Sequence, residues 1–242
     1  MDVILIAGLW LDATVWAETA DQLRALGHRP IPVDLPGAGD HAAATLPDQV
    51  NAVVSAIDSA DRAVVVGHSA AATLAWIGAD RRPQQVARTV LLGGFPTGDG
   101  TPYAAFFPIV EGLMPFPGWE AFDGADSADL DDAAKGRIAA GAHPVPEGVA
   151  TGIVHLRDER RFDVPVVLVC PEYSPDQARG WVAAGEVPEI AAAHDVTYLD
   201  IDSGHWPMVS APGELARVLS LSLIHISEPT RRTPISYAVF CL

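Results

Sequence analysis

Cysteine is nearly absent: the 242 residues hold only Cys170 and Cys241. Two thiols make no disulfide framework, and neither a paired-Cys nor a His-x-x-x-His spacing suggests zinc. Long apolar runs are missing too. None approaches the roughly 20 residues that a membrane-spanning helix needs. The opening Met1-Asp2-Val3-Ile4-Leu5-Ile6 has no basic leader, so a cytoplasmic protein is expected. Basic residues are scarce, 15 against 31 acidic, for a net charge of −16. That charge repels phosphates and argues against nucleic acid and anionic membranes as partners. The dinucleotide fingerprint is lacking as well, because neither Gly37-Ala38-Gly39 nor Gly93-Gly94 has its full pattern and strand–helix setting. What remains is a chain that is 49% hydrophobic, large enough for one domain with a buried core. The expected partner is a small molecule, with no cofactor and no metal; oligomeric state is left open.

Composition changes abruptly at Leu221. Leu221-Ser222-Leu223-Ile224-His225-Ile226-Ser227-Glu228-Pro229-Thr230-Arg231 back-translates to a transposase-type sequencing-library adapter. Ile235 to Leu242 back-translates to the adapter's flow-cell end, and Arg232-Thr233-Pro234 fall where a sample index would lie. Residues 221–242 are therefore expected to be translated adapter rather than native protein, and residues 1–220 to form one domain. Re-sequencing the source gene tests this, since a continuous native frame through the segment overturns it.

Apolar, β-rich runs alternate with helical segments. The pattern predicts strands at Val3–Ala7, Pro30–Asp34, Ala63–Val66, Thr89–Leu92, Val164–Val169 and Val196–Asp200. It predicts helices over Thr14–Leu26, Leu46–Asp58, Ala70–Ala79 and Gly213–Leu219. Such alternation argues for a parallel sheet covered on both faces. A proline- and aromatic-rich interval, about 95–162, exceeds what a crossover needs and is expected to be an inserted lid.

Gly67-His68-Ser69-Ala70-Ala71 follows the β-branched run Val64-Val65-Val66 and opens a small-residue helix. Strand, sharp turn, helix is the arrangement that lifts a serine to the sheet's carboxyl edge, with helix amides beside it. The competing reading of the pentapeptide is a serine helix cap after a buried strand. A serine hydroxyl needs a base. Of the histidines, His205 in Asp202-Ser203-Gly204-His205-Trp206-Pro207 follows the last strand and so shares the carboxyl edge with Ser69. His68 points away from its neighbour in such a turn and is assigned a structural role. His28, His41, His143, His155 and His194 fall on turns, the insertion or the wrong end of the sheet.

These segments resemble the α/β-hydrolase superfamily. Gly67–Ala71 is similar to its nucleophile elbow, with alanine replacing the last glycine. Gly204-His205-Trp206-Pro207 is similar to its histidine loop, and Asp34-Leu35-Pro36-Gly37-Ala38-Gly39 to a turn common after the second of these strands. Ala7-Gly8-Leu9-Trp10 stands where a His-Gly motif usually does. The resemblance implies an α/β fold: a doubly wound, mostly parallel sheet of about six strands in the order 2-1-3-4-5-6. It implies Ser69 as nucleophile, His205 as base, and backbone amides of Leu9 and Ala70 as an oxyanion hole. Trp10 and Trp206 are candidate pocket walls. The acid that orients His205 usually follows the fifth of these strands. There the chain reads Cys170-Pro171-Glu172-Tyr173-Ser174-Pro175-Asp176, with Ser174 in the place of the usual aspartate. Glu172 is the first candidate, Asp176 the second, and Asp99 after the fourth strand the third. The implied activity is hydrolysis of a small carboxylic ester, thioester or lactone through an acyl-enzyme. Cofactor-free lyase or carbon–carbon hydrolase chemistry is an alternative. A ligand-binding module with a vestigial triad is another.

Overall fold

Six strands lie side by side and run in parallel: β1 (Asp2–Ile6), β2 (Arg29–Pro32), β3 (Ala63–His68), β4 (Val86–Leu92), β5 (Val166–Cys170) and β6 (Val196–Asp200). Their order is β2-β1-β3-β4-β5-β6, as expected. This computed structural model describes residues 1–39 and 43–224. The last 18 residues, which hold most of the expected adapter tail, and His41 lie outside them.

The central strands β3 and β4 are buried along their whole length. That is why they read as continuous apolar runs rather than as an alternation, for both faces of a parallel sheet are covered. Successive side chains point to opposite faces. Ile4, Ile6 and Val65 pack with α2 (Leu46–Asp58) and α3 (Ala71–Arg81). Val3, Leu5, Val64 and Val66 pack on the other face with α1 (Ala17–Ala25), α4 (Asp132–Gly141) and α6 (Pro212–Ile224). Trp76 lies fully buried in the first layer and Trp16 in the second. The helix α5 (Pro175–Ala183) follows β5.

Most element ends lie a residue or more from expectation, and two of these shifts have a visible physical reason. Strand β4 begins at Val86 rather than Thr89, carrying the charged Arg88 into the interior. Its guanidinium Nη1 donates at 2.6 Å to the carbonyl of Ser222, a residue of the expected adapter segment, and burial lowers its pKa. Helix α6 continues past Leu219 to Ile224, because Leu215, Leu219 and Ser222 keep one face turned inward.

The interval between β4 and β5 holds α4 and a short antiparallel pair, Leu113–Met114 with Val145–Pro146. Its Tyr103 and Met114 are fully buried, while Phe106 is exposed.

Candidate active site

The turn after β3 is strained. Ser69 sits at φ 55°, in the left-handed region that a non-glycine residue avoids at a cost of about 1–3 kcal/mol. Two backbone bonds hold it there. Its N–H donates to the Leu92 carbonyl at 2.8 Å, and its carbonyl accepts from Ala72 N–H at 2.9 Å. Glycine is required nearby. A Cβ on Gly67 would lie 2.1 Å from the Ala71 carbonyl oxygen, and one on Gly94 would lie 2.4 Å from that of Ser69. Ala71 itself is accommodated, so the alanine in the elbow's last place costs the turn nothing visible. Ala70 enters α3 as its N-cap, so its amide belongs to the helix's unpaired first turn.

The other expected groups meet at the same edge. Strands β1 and β3 pair Ile6 with Gly67, which sets Gly8 and Ser69 level just beyond the sheet. A Cβ on Gly8 would lie 3.1 Å from the Ser69 Cβ, so the Gly8-Leu9-Trp10 loop runs alongside the serine. On the far side, His205 Nδ1 is 2.8 Å from Glu172 Oε1, and each side chain is only 13% exposed. Between them lies Gly93, at φ 60°. A Cβ there would be 3.4 Å from both Glu172 Oε2 and His205 Nδ1. Among the described residues no hydrogen bond joins the Ser69 hydroxyl to His205.

The competing acids are elsewhere. Asp176 is almost fully exposed and pairs with Arg179 at 2.8 Å on the first turn of α5. Asp99 accepts the Leu156 amide at 2.8 Å, inside the interval between β4 and β5. Ser174, in the usual aspartate place, caps α5 through the Gln177 amide. The remaining histidines have structural partners or none: His28 meets Ser220, His143 meets Asp12, His194 meets Asp163, and His155 is exposed. Cys170 is no rival nucleophile. Burial, then Asp200 and Glu172, push its thiol up to about 12, so little thiolate forms near neutrality.

Trp10 and Trp206 are both buried and lie at the two ends of one aromatic cluster. Trp10, at φ 63°, donates its indole N–H to the Met114 carbonyl at 3.1 Å and meets Phe107, Phe116 and Phe122 edge-on. Trp206 meets Trp119 and Phe122 in the same way. Rings from the insertion thus bridge the loop beside Ser69 and the loop that carries His205.

His68, assigned a structural role from its place in the turn, is fully buried and has a partner on the histidine loop. Its Nε2–H donates to the His205 carbonyl at 2.7 Å, which leaves Nδ1 bare and buried. Burial first, and the His205 charge second, bring its pKa down to about 3, against the opposing hydrogen bond. The folded value lies below the ordinary 6.5. Stability from the neutral ring is therefore complete above about pH 6.5 and lost as pH falls toward 3, where only the unfolded chain takes the proton. The loss is on the order of a few kcal/mol. His68→Gln keeps a donor without a titrating group. Urea unfolding at about pH 7 and about pH 4 should show a smaller acid loss for this variant than for wild type. Equal losses would refute the assignment.

Residues 3–218 match the model of the alpha/beta hydrolase family. The chain belongs to that family. No curated protein matches its sequence. Among solved structures, this hydrolase-family chain is similar to an extracellular alpha/beta-hydrolase from a Paenibacillus species, with TM-score 0.75 and 18% identity over 91% of this chain and 98% of that one. It is also similar to the methylesterase MES16 from Arabidopsis, with TM-score 0.71 and 16% identity over 93% and 99%. A pyrethroid hydrolase from Sphingobium faniae JZ-2 gives TM-score 0.64 and 19% identity over 91% and 96%. At such identities the likeness is one of fold.

Sequence reasoning missed two features of this hydrolase site. Gly93-Gly94 lacks a nucleotide fingerprint, yet two glycines ending the strand next to the elbow signal a close backbone approach. The turn at 126–129, which bonds to the histidine loop, left no local signal. Among the described residues no group of three His, Cys, Asp or Glu side chains forms a metal site, and no helix is long and apolar enough to cross a membrane.

Proposed function

We propose that this protein is a serine hydrolase that cleaves a small carboxylic ester, thioester or lactone through an acyl-enzyme on Ser69. The observation that carries this reading is the part-buried Glu172–His205 pair at the edge where the strained turn presents Ser69. A carboxylate on Nδ1 fixes the tautomer in which Nε2 is a free base. Catalytic hydrogen bonds often tighten only with substrate bound, and the Ser69–His205 bond forms at that stage.

Ser69 Oγ attacks the carbonyl carbon as His205 Nε2 takes its proton. The Leu9 and Ala70 amides stabilise the oxyanion, whose collapse expels the alcohol, thiol or lactone hydroxyl as His205 returns the proton. Water, activated by His205, then releases the acid. No cofactor enters any step. The aromatic cluster from Trp10 to Trp206 favours a substrate with apolar flanks. Ser174 in the acid's usual place favours a binding module with a vestigial triad, whereas the paired Glu172 supports catalysis. A methylesterase among structures of this fold supports an ester in kind.

A fluorophosphonate probe tests the reading. We expect one adduct, mapped by peptide mass to Ser69 and absent after denaturation. Folded protein that gives no adduct at Ser69 refutes it.

A further inference from the structure

We propose that Asp129, on the insertion between β4 and β5, is a positioning residue that holds His205 in place. This rests on the reading of His205 as the base. An imidazole that must serve two partners has to be held to within about 0.5 Å, and its backbone has to be held first. The His205 backbone is gripped from two sides. Its carbonyl accepts from the His68 ring, and its N–H donates to the Asp126 carbonyl at 2.8 Å. One residue earlier, Gly204 N–H donates to Asp129 Oδ2 at 2.8 Å, a bond strengthened by the carboxylate charge. The Ser203 hydroxyl reaches the same oxygen at 3.2 Å.

The approach is close enough to exclude a side chain. A Cβ on Gly204 would lie 2.4 Å from both the Asp126 carbonyl oxygen and Asp129 Oδ1. The turn that presents these acceptors is itself fixed. Ser127 and Ala128 donate to the Gly124 carbonyl, Leu130 donates to that of Ser127, and Leu130 is buried against the core. The Asp126 carboxyl also senses the site: burial raises its pKa, His205 opposes this, and Glu172 adds to it. Asp129 touches neither the imidazole nor Glu172 in these bonds, so its action on His205 runs through the Gly204 backbone.

That placement separates it from a catalytic acid. Asparagine at 129 keeps an oxygen for Gly204 N–H and should rescue, whereas alanine should not. In full-length protein with 15N-labelled histidine, the His205 Nδ1 proton bound to Glu172 gives a low-field signal, assigned by its loss in Glu172→Gln. We expect Asp129→Ala to broaden or abolish that signal and to slow fluorophosphonate labelling of Ser69 by roughly 10- to 100-fold. Asp129→Asn should keep the signal and label within a few-fold of wild type. Asp129→Ser serves in place of alanine should that variant fail to fold. An unchanged signal and labelling rate in the alanine variant overturns the proposal. So does an asparagine variant as impaired as alanine, which would assign the effect to charge. If wild type does not label at all, the reading of Ser69 fails, and the His205 signal still decides the role of Asp129.

Discussion

Replacing Ser69 with alanine is expected to lower kcat/KM on a short p-nitrophenyl ester by roughly 10⁴- to 10⁶-fold, the range seen when a nucleophile is removed from a triad that acts as a unit. The residual rate would come from the oxyanion amides and binding, which the substitution leaves alone. Stability should hardly move. The serine's φ of 55° is fixed by backbone bonds to Leu92 and Ala72, which alanine retains. The hydroxyl has no hydrogen-bond partner among the described residues, so its removal orphans nothing. A thermal melt beside the kinetics therefore separates lost chemistry from lost fold. The same variant discriminates among mechanisms. A lyase that uses His205 as a base without an acyl-enzyme would keep much of its rate in Ser69→Ala, as would hydrolysis routed through another nucleophile. Activity within about ten-fold of wild type would remove Ser69 from the chemistry.

How much of this could be read in the sequence depended on the range of the signal. The strands, the elbow and the histidine loop follow from local patterns: β-branched runs, small residues around Ser69, and a histidine shortly after the last strand. Each is decided within a few neighbouring residues, and each is found in the fold. The order of the strands follows only from the resemblance to the α/β-hydrolase superfamily. The contacts that complete the site join segments far apart in the chain. His68 reaches the carbonyl of His205, Gly94 backs onto Ser69, and Asp129 meets Gly204. Periodicity carries no information about such encounters, because they are set by how the insertion folds over the sheet edge. The acid has the weakest local signal, since three carboxylates follow β4 and β5 and a serine, Ser174, stands in the usual aspartate place.

Glu172→Gln supplies the second large effect, an expected loss of roughly 10³- to 10⁴-fold in kcat/KM on the same ester, with KM little changed. Glutamine keeps the shape of the side chain but not its charge. Its carbonyl oxygen can still accept from His205 Nδ1–H. Its amide group, turned the other way, would instead donate to Nδ1 and strand the proton on Nε2, where it blocks attack by Ser69. Even in the right orientation, the imidazolium formed in the transition state loses its counter-charge. That loss is large because both side chains are only 13% exposed, where water screens weakly. Asp176→Asn provides the comparison. Its carboxylate is 93% exposed and bonded to Arg179 three residues on, an arrangement worth about 0–1 kcal/mol to the fold and nothing to His205. Activity within about two-fold of wild type is expected there. Glu172→Asp should fall between the two: it retains the charge but is one methylene shorter, so it reaches Nδ1 only if the Pro171 turn shifts. Should Asp176→Asn prove the more damaging, the acid lies on α5 and the 2.8 Å Glu172–His205 contact is not the one that works in turnover.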